Sequence, residues 1–140
     1  MLRNIMAGLT VFMVLSASSV IGQVADKEKI AVAVAEKWLV MIDGGRYAES
    51  WKEAAEVFRS AVKQEQWEQS LQAVRKPLGA LVSRKLVTKA YQTSLPGAPD
   101  GEYVVIQFQT SFQNKASAIE TVTPMRDKDG KWRVSGYFIK

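Results

Sequence analysis

Apolar residues recur every three or four positions through the first half of the chain. This spacing places them on one side of a helix, and it predicts helices over residues 26–42, 46–62 and 67–78. We expect the second of these helices to be bent or split. The first half is therefore predicted to be entirely helical.

The ends of two of these helices are marked by residues with strong local preferences. Asp26 is a suitable N-cap for the first helix, and Gly44 with Gly45 ends it. Pro77 and Gly79 end the third, because proline disfavours helix in the residue before it and glycine permits a left-handed exit.

After Gly79 the apolar period changes from 3.6 to 2. Runs rich in Val, Ile, Thr, Tyr and Phe predict strands over residues 81–93, 103–112, 117–125 and 131–139. The segments between them contain Gly, Pro, Asn or Asp and are predicted to be hairpin loops. Three helices followed by a four-stranded antiparallel meander make an α+β domain, with the helices packed on one face of the sheet.

The loop lengths also predict a register, with Thr110 opposite Ile119 and Ile119 opposite Phe138. This register assigns each strand residue to one of two faces, and a slip of one residue would exchange the faces of a strand. The face toward the helices would carry Ile106, Phe108, Thr110, Ile119, Met125, Trp132, Val134 and Phe138. The outer face would carry Val105, Gln107, Gln109, Glu120, Val122, Arg133, Tyr137 and Ile139.

The N-terminal segment has the order of features typical of a secretory signal peptide. Arg3 precedes an apolar run over residues 5–15, and small residues follow it. The run is shorter than the about 20 apolar residues that cross a bilayer. An uncleaved anchor extended through Ile21 is the competing interpretation.

We expect cleavage before Gln23, with sites after Ala17 or Ser19 as alternatives. Removal of residues 1–22 leaves one α+β domain over residues 23–140, with no transmembrane span. The mature protein is predicted to be secreted, in the periplasm or outside the cell.

The composition restricts the chemistry, because the 140 residues include neither Cys nor His. Disulfides, a thiolate nucleophile, an imidazole base and an ordinary zinc site are excluded, since they need sulfur or ring nitrogen. We expect no metal and no cofactor. The net charge of +5 comes from basic residues spread along the chain, so we expect no specific nucleic-acid partner.

Four sequence runs carry a family resemblance. They are DGGRYAESW at 43–51, RKPLG at 75–79 with SRKL at 83–86, LPGAPDGEY at 95–103, and DGKWRVSGY at 129–137. Over residues 30–140 the chain resembles the secreted bacterial proteins grouped as domain of unknown function 4019. The resemblance implies a cystatin-like or nuclear-transport-factor-like (NTF2-like) α+β fold in the cell envelope, and it implies no activity.

Aromatic residues form the first candidate site. Trp51 and Trp67 lie on predicted inner faces of helices, and Trp132 lies on the core face of the sheet. They could line an apolar ligand cavity between helices and sheet. The alternative is that they fill the core of a domain that has no disulfides.

Arg84 is the second candidate ligand-binding residue, because the alternation of the first strand points it inward. A buried arginine needs an anion. Either a carboxylate of the helical layer, such as Glu49 or Glu56, pairs with it, or its free guanidinium anchors an anionic ligand.

Two acidic features complete the search. Glu120 is the one carboxylate in the middle of a strand, but the predicted register places it on the outer face, where a solvated or ion-paired role is expected. Asp127, Asp129 and Gly130 lack the twelve-residue pattern of a calcium loop and are predicted to be a hairpin turn. No residue is assigned a catalytic role.

Two functions remain open. The first is a non-enzymatic binding or interaction module of the cell envelope, whose partner is an unknown ligand or an envelope protein. The second is a small-molecule isomerase or dehydratase that uses a cavity between helices and sheet, an analogy from fold alone. An apolar strip of Val105, Val122, Tyr137 and Ile139 on the outer face also predicts a homodimer through that face.

Overall fold

A computed structural model describes residues 17–140 of the chain. The helices are α1 (Ala17–Asp43), α2 (Tyr47–Lys52), α3 (Glu56–Ala61) and α4 (Gln64–Val74), followed by a 3₁₀ turn at Lys76–Leu78. The strands are β1 (Leu81–Gln92), β2 (Tyr103–Phe112), β3 (Lys115–Arg126) and β4 (Trp132–Ile139). The predicted signal-peptide run at residues 5–15 lies outside the described residues.

The four strands form one antiparallel sheet in the order β1-β2-β3-β4. Helix α1 packs across all four strands, α3 packs on β4, and α2 packs on α4. This arrangement confirms the predicted α+β class, with helices on one face of a four-stranded meander. No helix within residues 17–140 is long and apolar enough to cross a membrane.

Helix α1 begins earlier than predicted. Asp26 lies inside the helix, so its assignment as the N-cap was wrong. Residues 17–25 contain no proline, so nothing in this segment prevents the helix from starting earlier. Asp has only a modest penalty inside a helix, and the helix therefore continues through Asp26. The predicted end is confirmed, since α1 ends at Asp43 and Gly45 follows with φ of +73°.

The second predicted helix is split into α2 and α3. Between them, the Ala55 backbone N–H donates to the Val134 carbonyl of β4 at 2.8 Å. That bond to the sheet replaces a bond along the helix, and both Ala54 and Ala55 are fully buried. The break therefore fixes the helical layer to the last strand.

The predicted register was wrong by one residue between β2 and β3. Thr110 pairs with Ala118 and Phe112 with Lys115, because the turn between the strands is tighter than the predicted loop and a β-bulge follows it. Strand β4 is displaced by two residues, with Thr121 opposite Phe138. An even displacement keeps β4 on the same face as its β3 neighbours, so the predicted faces are exchanged over residues 119–123 and 136–139. The register shift between Thr123 and Pro124 ends the exchange, and Val134 keeps its predicted place in the core.

The exchange corrects six predicted positions. Glu120 and Val122 are fully buried, and Tyr137 packs against the core, although all three were assigned to the outer face. Ile119 and Phe138 lie on the outer face instead, where Phe138 is 57% exposed. Ile139 pairs with Glu120 and so shares its inner face, although it too was assigned to the outer face. The predicted apolar strip therefore keeps only Val105 on the outer face.

The core forms between α1, α4 and the inner face of the sheet. Its buried members are Ala31, Ala35, Trp38, Leu39, Ile42, Trp67, Leu71, Val104, Ile106, Phe108, Val122 and Val134. A smaller cluster of Ala55, Tyr103 and Met125 lies at the other end of the sheet, with Leu95 and Ala98 packed against it. The long loop between β1 and β2 thus covers apolar surface.

Candidate functional site: a buried ion network

Arg84 of β1 is the centre of a network of charged side chains at the end of α1. Its Nη1 and Nη2 donate to the two carboxylate oxygens of Asp43 at 2.7 and 2.9 Å. Its Nε donates to Oε1 of Glu120 at 2.7 Å. The guanidinium therefore binds two carboxylates, one from the helical layer and one from β3.

Glu120 has no solvent exposure, and both of its oxygens have protein donors. Oε1 also accepts a hydrogen bond from the Thr110 hydroxyl at 2.6 Å, and Oε2 accepts one from the Tyr137 hydroxyl. The three donors come from β1, β2 and β4, the other strands of the sheet. Glu120 therefore joins all four strands through its side chain.

Arg75 supplies the second cation. Its Nη2 donates to Asp43 at 3.2 Å, its Nη1 donates to the Gly79 carbonyl at 2.7 Å, and the guanidinium carbon lies 4.3 Å from the centre of the Phe112 ring. The side chain is 4% exposed, and its Nε has no hydrogen-bond partner. Two arginines and two carboxylates leave the network without net charge.

The protonation states follow from this environment. Burial and the neighbouring Glu120 carboxylate raise the pKa of Tyr137 above its ordinary value of 10.0. Burial lowers the pKa of Arg84, but the hydrogen bonds that Arg84 donates to the Asp43 and Glu120 carboxylates outweigh this effect, so the pKa is raised overall. Tyr137 is therefore a neutral hydrogen-bond donor, and Arg84 is charged.

A catalytic base must lie within about 3 Å of the substrate atom whose proton it takes. Glu120 has its oxygens occupied by Arg84, Thr110 and Tyr137, and solvent does not reach it. The network is therefore arranged to hold the strands and α1 together.

The three candidate tryptophans belong to the core cluster. Trp67 is buried, and its Nε1 donates to the Ser50 hydroxyl at 2.9 Å. Its ring centre lies 5.0 Å from that of Phe58 and 6.5 Å from that of Tyr137. Trp51 and Trp132 are half-buried against the same cluster, and Trp51 donates to the Val62 carbonyl at 2.7 Å. Their proposed role in binding a ligand stays a prediction.

An open groove borders the network where α1 ends. Its lining includes Asp43, Gln72, Arg75 and Lys76, together with the glycines at 44, 45 and 79. Here the otherwise buried network comes closest to the surface.

Sequence reasoning selected Arg84 and its inward direction, but it missed the partners. Glu49 pairs with Arg46 instead, and Glu56 is exposed, so neither suggested carboxylate reaches Arg84. The sequence did contain a signal that could have identified Asp43. The two glycines after it mark Asp43 as the last residue of α1, and a helix that crosses the sheet can end over an edge strand such as β1.

The loop between β3 and β4 is a hairpin turn, as predicted. Arg133 donates to Asp127 at 2.9 Å and to Asp129 at 2.9 and 2.8 Å. Within residues 17–140, no group of three or more acidic side chains is placed to hold a metal ion.

Residues 34–137 match the sequence profile of the family "Protein of unknown function (DUF4019)". The chain belongs to the DUF4019 family. The match contains Asp43, Arg75, Arg84 and Glu120, so the whole ion network lies in the DUF4019 region. This confirms the family resemblance carried by the four sequence runs.

A comparison of this DUF4019 chain with curated proteins gave no match. Among solved structures, a 2.5 Å structure from Catenulispora acidiphila is similar, with 12% sequence identity and a TM-score of 0.48. The alignment covers 88% of this chain and 92% of that chain.

Proposed function

We propose that this DUF4019 protein is a non-enzymatic binding or interaction module of the cell envelope. The supporting observation is the state of the groups best suited to chemistry. Glu120 and Tyr137 are hydrogen-bonded to each other, and Arg84 holds both Asp43 and Glu120. These groups satisfy one another inside the fold, which is what a structural network requires.

The envelope location rests on the sequence of the first 22 residues. Arg3, the apolar run over residues 5–15 and the small residues after it are typical of an exported protein. A stable domain without Cys can function in an oxidising compartment, because its packed core and ion network hold it together without disulfides.

The alternative is an isomerase or dehydratase with Glu120 as its base. That function would need a substrate atom within about 3 Å of the carboxylate. Arg84, Thr110 and Tyr137 occupy those positions, so the observations favour the binding module.

The test compares binding with turnover. Protein expressed from its full chain and recovered from the envelope is immobilised, and envelope extract is passed over it with and without competing free protein. A component that co-elutes reproducibly and is displaced by free protein supports the proposal. Turnover of a small hydroxy or keto compound that is lost in a folded Glu120→Gln variant would overturn it.

A further inference from the structure

The net charge of the domain lies entirely in its sheet half. Residues 23–79 contain nine basic and nine acidic side chains, whereas residues 80–140 contain nine basic and five acidic ones. The helical layer is therefore neutral, and the sheet with its loops carries +4. The even spread of basic residues along the sequence conceals this segregation.

Four of the five carboxylates in the sheet half are already ion-paired. Glu120 pairs with Arg84, Glu102 with Lys27 and Arg126, and Asp127 and Asp129 with Arg133. Six exposed lysines of this half have no carboxylate within salt-bridge distance in the described part of the chain. They are Lys85, Lys89, Lys115, Lys128, Lys131 and Lys140.

The face of the sheet turned away from the helices, here called the outer face, carries two cross-strand rows of side chains. The first row is Lys85, Gln109, Ile119 and Lys140, and the second is Thr88, Gln107, Thr121 and Phe138. The first row has a lysine at each end, and neither row contains an Asp or Glu side chain. Three strand spacings separate the two lysines, a backbone distance of about 14 Å.

The middle of the outer face is polar and ordered by its own hydrogen bonds. Gln109 donates to the Ser117 hydroxyl at 3.0 Å, and the Thr88 hydroxyl donates to Gln107 at 3.3 Å. Amide and hydroxyl groups can donate and accept further hydrogen bonds. Phe138, at the β4 end of the second row, is 57% exposed and offers an apolar ring.

We propose that the outer face binds an acidic polysaccharide. The amides and hydroxyls would bond to sugar hydroxyls, Phe138 would pack against the C–H side of a sugar ring, and Lys85 with Lys140 would pair with acidic groups along the chain. Because these rows have no acidic side chains, an acidic glycan would meet no Asp or Glu that repels it there. This inference rests on the proposed binding function and names the class of its partner.

The pattern favours an extended glycan over a lipid surface. Membrane-binding surfaces combine a basic patch with several apolar side chains that enter the bilayer. Phe138 is the one large apolar side chain on these rows that is mostly exposed, and its direct cross-strand neighbour is a threonine, Thr121. A row of side chains across four strands can also contact several sugar units of a polysaccharide, whereas a compact ligand would contact only part of the row.

The test measures binding of the protein, expressed from its full chain, to alginate, a polysaccharide of carboxylated sugars. Neutral dextran, phosphatidylglycerol vesicles and double-stranded DNA are parallel probes. The key variant is Lys85→Gln/Lys140→Gln. Lys29→Gln/Lys37→Gln on the exposed side of α1 makes the same charge change on the other layer. Phe138→Ser tests the ring, with melting curves to verify folding.

We expect saturable binding to alginate and none to dextran. The double change on the outer face should weaken alginate binding by at least about tenfold, and the α1 control by less than about twofold, since a charge acts mainly at the surface that meets the partner. Phe138→Ser should weaken binding to alginate more than binding to DNA.

Other results would overturn the inference. Equal losses in both double variants would indicate attraction by net charge alone, and binding to vesicles but not alginate would indicate a lipid partner. A dimer mass that Phe138→Ser converts to monomer would assign this face to a second copy of the chain. If the protein does not bind alginate but still captures a specific component of the envelope extract, this inference is wrong and the proposed binding function stands.

Discussion

Arg84 donates two parallel hydrogen bonds to Asp43, the last residue of α1, at 2.7 and 2.9 Å. A carboxylate at this end of a helix is unfavourable, because the helix dipole places partial negative charge there. Arg84 and Arg75 offset that cost by binding the carboxylate from two sides. The pair fixes the end of α1 over the edge strand β1, 41 residues later in the chain.

Arg84→Met should lower the free energy of unfolding by about 3 to 5 kcal/mol, because it leaves the buried Glu120 carboxylate without its cation. Urea melts of the variant and the wild type measure the difference. Lys85→Met is the matched control on the opposite side of the same strand, and it should change stability by less than about 0.5 kcal/mol. Equal stability of the two variants would contradict a structural role for Arg84.

Tyr137 should make the protein lose stability at alkaline pH. Its pKa in the folded state lies above the ordinary 10.0, so its stabilising effect is complete below pH 10 and is lost as the pH rises toward the folded-state pKa. Tyr137→Phe should be less stable at neutral pH, by about 1 to 3 kcal/mol, because Glu120 loses a donor. Its stability should fall less steeply above pH 10. Chemical denaturation from pH 7 to 11 measures both effects, and parallel curves would refute the assignment.

The ion pair between Lys27 and Glu102 should contribute to stability against acid. A hydrogen bond from Lys27, with further ones from Arg126 and Tyr91, lowers the pKa of Glu102 from 4.5 to about 2. A lowered pKa gives stability that is present above pH 4.5 and is lost as the pH falls toward 2.

Lys27→Met should therefore flatten the loss of stability between pH 4.5 and 2. Lys29→Met is the control, since Lys29 is exposed on the same helix and has no carboxylate within salt-bridge distance in residues 17–140. Thermal melts across this pH range compare the two. An unchanged slope in Lys27→Met would show that the pair does not couple folding to pH.

Two separate reasons favour glycine at position 79, its backbone conformation and the lack of space for a Cβ, whereas only the first applies at Gly97. Its φ is +77° and its ψ is −160°, a region that non-glycine residues avoid at a cost of about 1 to 3 kcal/mol. A Cβ there would lie 2.9 Å from Oε1 and 3.0 Å from Cβ of Gln113. Gly97 also has a positive φ, of +76°, but a Cβ at that position has no heavy atom within 4 Å.

We expect Gly79→Ala to destabilise the protein more than Gly97→Ala, because it adds a contact with Gln113 to the backbone strain. Urea denaturation of both variants measures the difference. Equal losses would mean that the Gln113 side chain moves away without cost.

Export is tested by the mass of the protein taken from its native envelope. We expect loss of the first 22 residues, so that the mature chain begins at Gln23. Intact-mass analysis also separates the alternative sites after Ala17 and Ser19. Retention of Met1 would favour the uncleaved anchor.

Local sequence preferences determined the order and most of the bounds of the elements. The change in apolar period after Gly79 placed the transition from helices to strands, and β2 was predicted at its observed limits, Tyr103–Phe112. These features depend on residues that are close together in the sequence, so they can be predicted from one sequence alone. The inward direction of Arg84 followed from the same alternation.

The tertiary structure decided the faces and the partners. A two-residue turn and a β-bulge moved Glu120 from the predicted outer face to the core, because one residue of slip reverses a strand. Asp43 meets Arg84 because α1 crosses the sheet and ends over its edge. The spacing of residues in the sequence does not show which segments 41 residues apart come into contact. Only the packed fold brings Asp43 and Arg84 together.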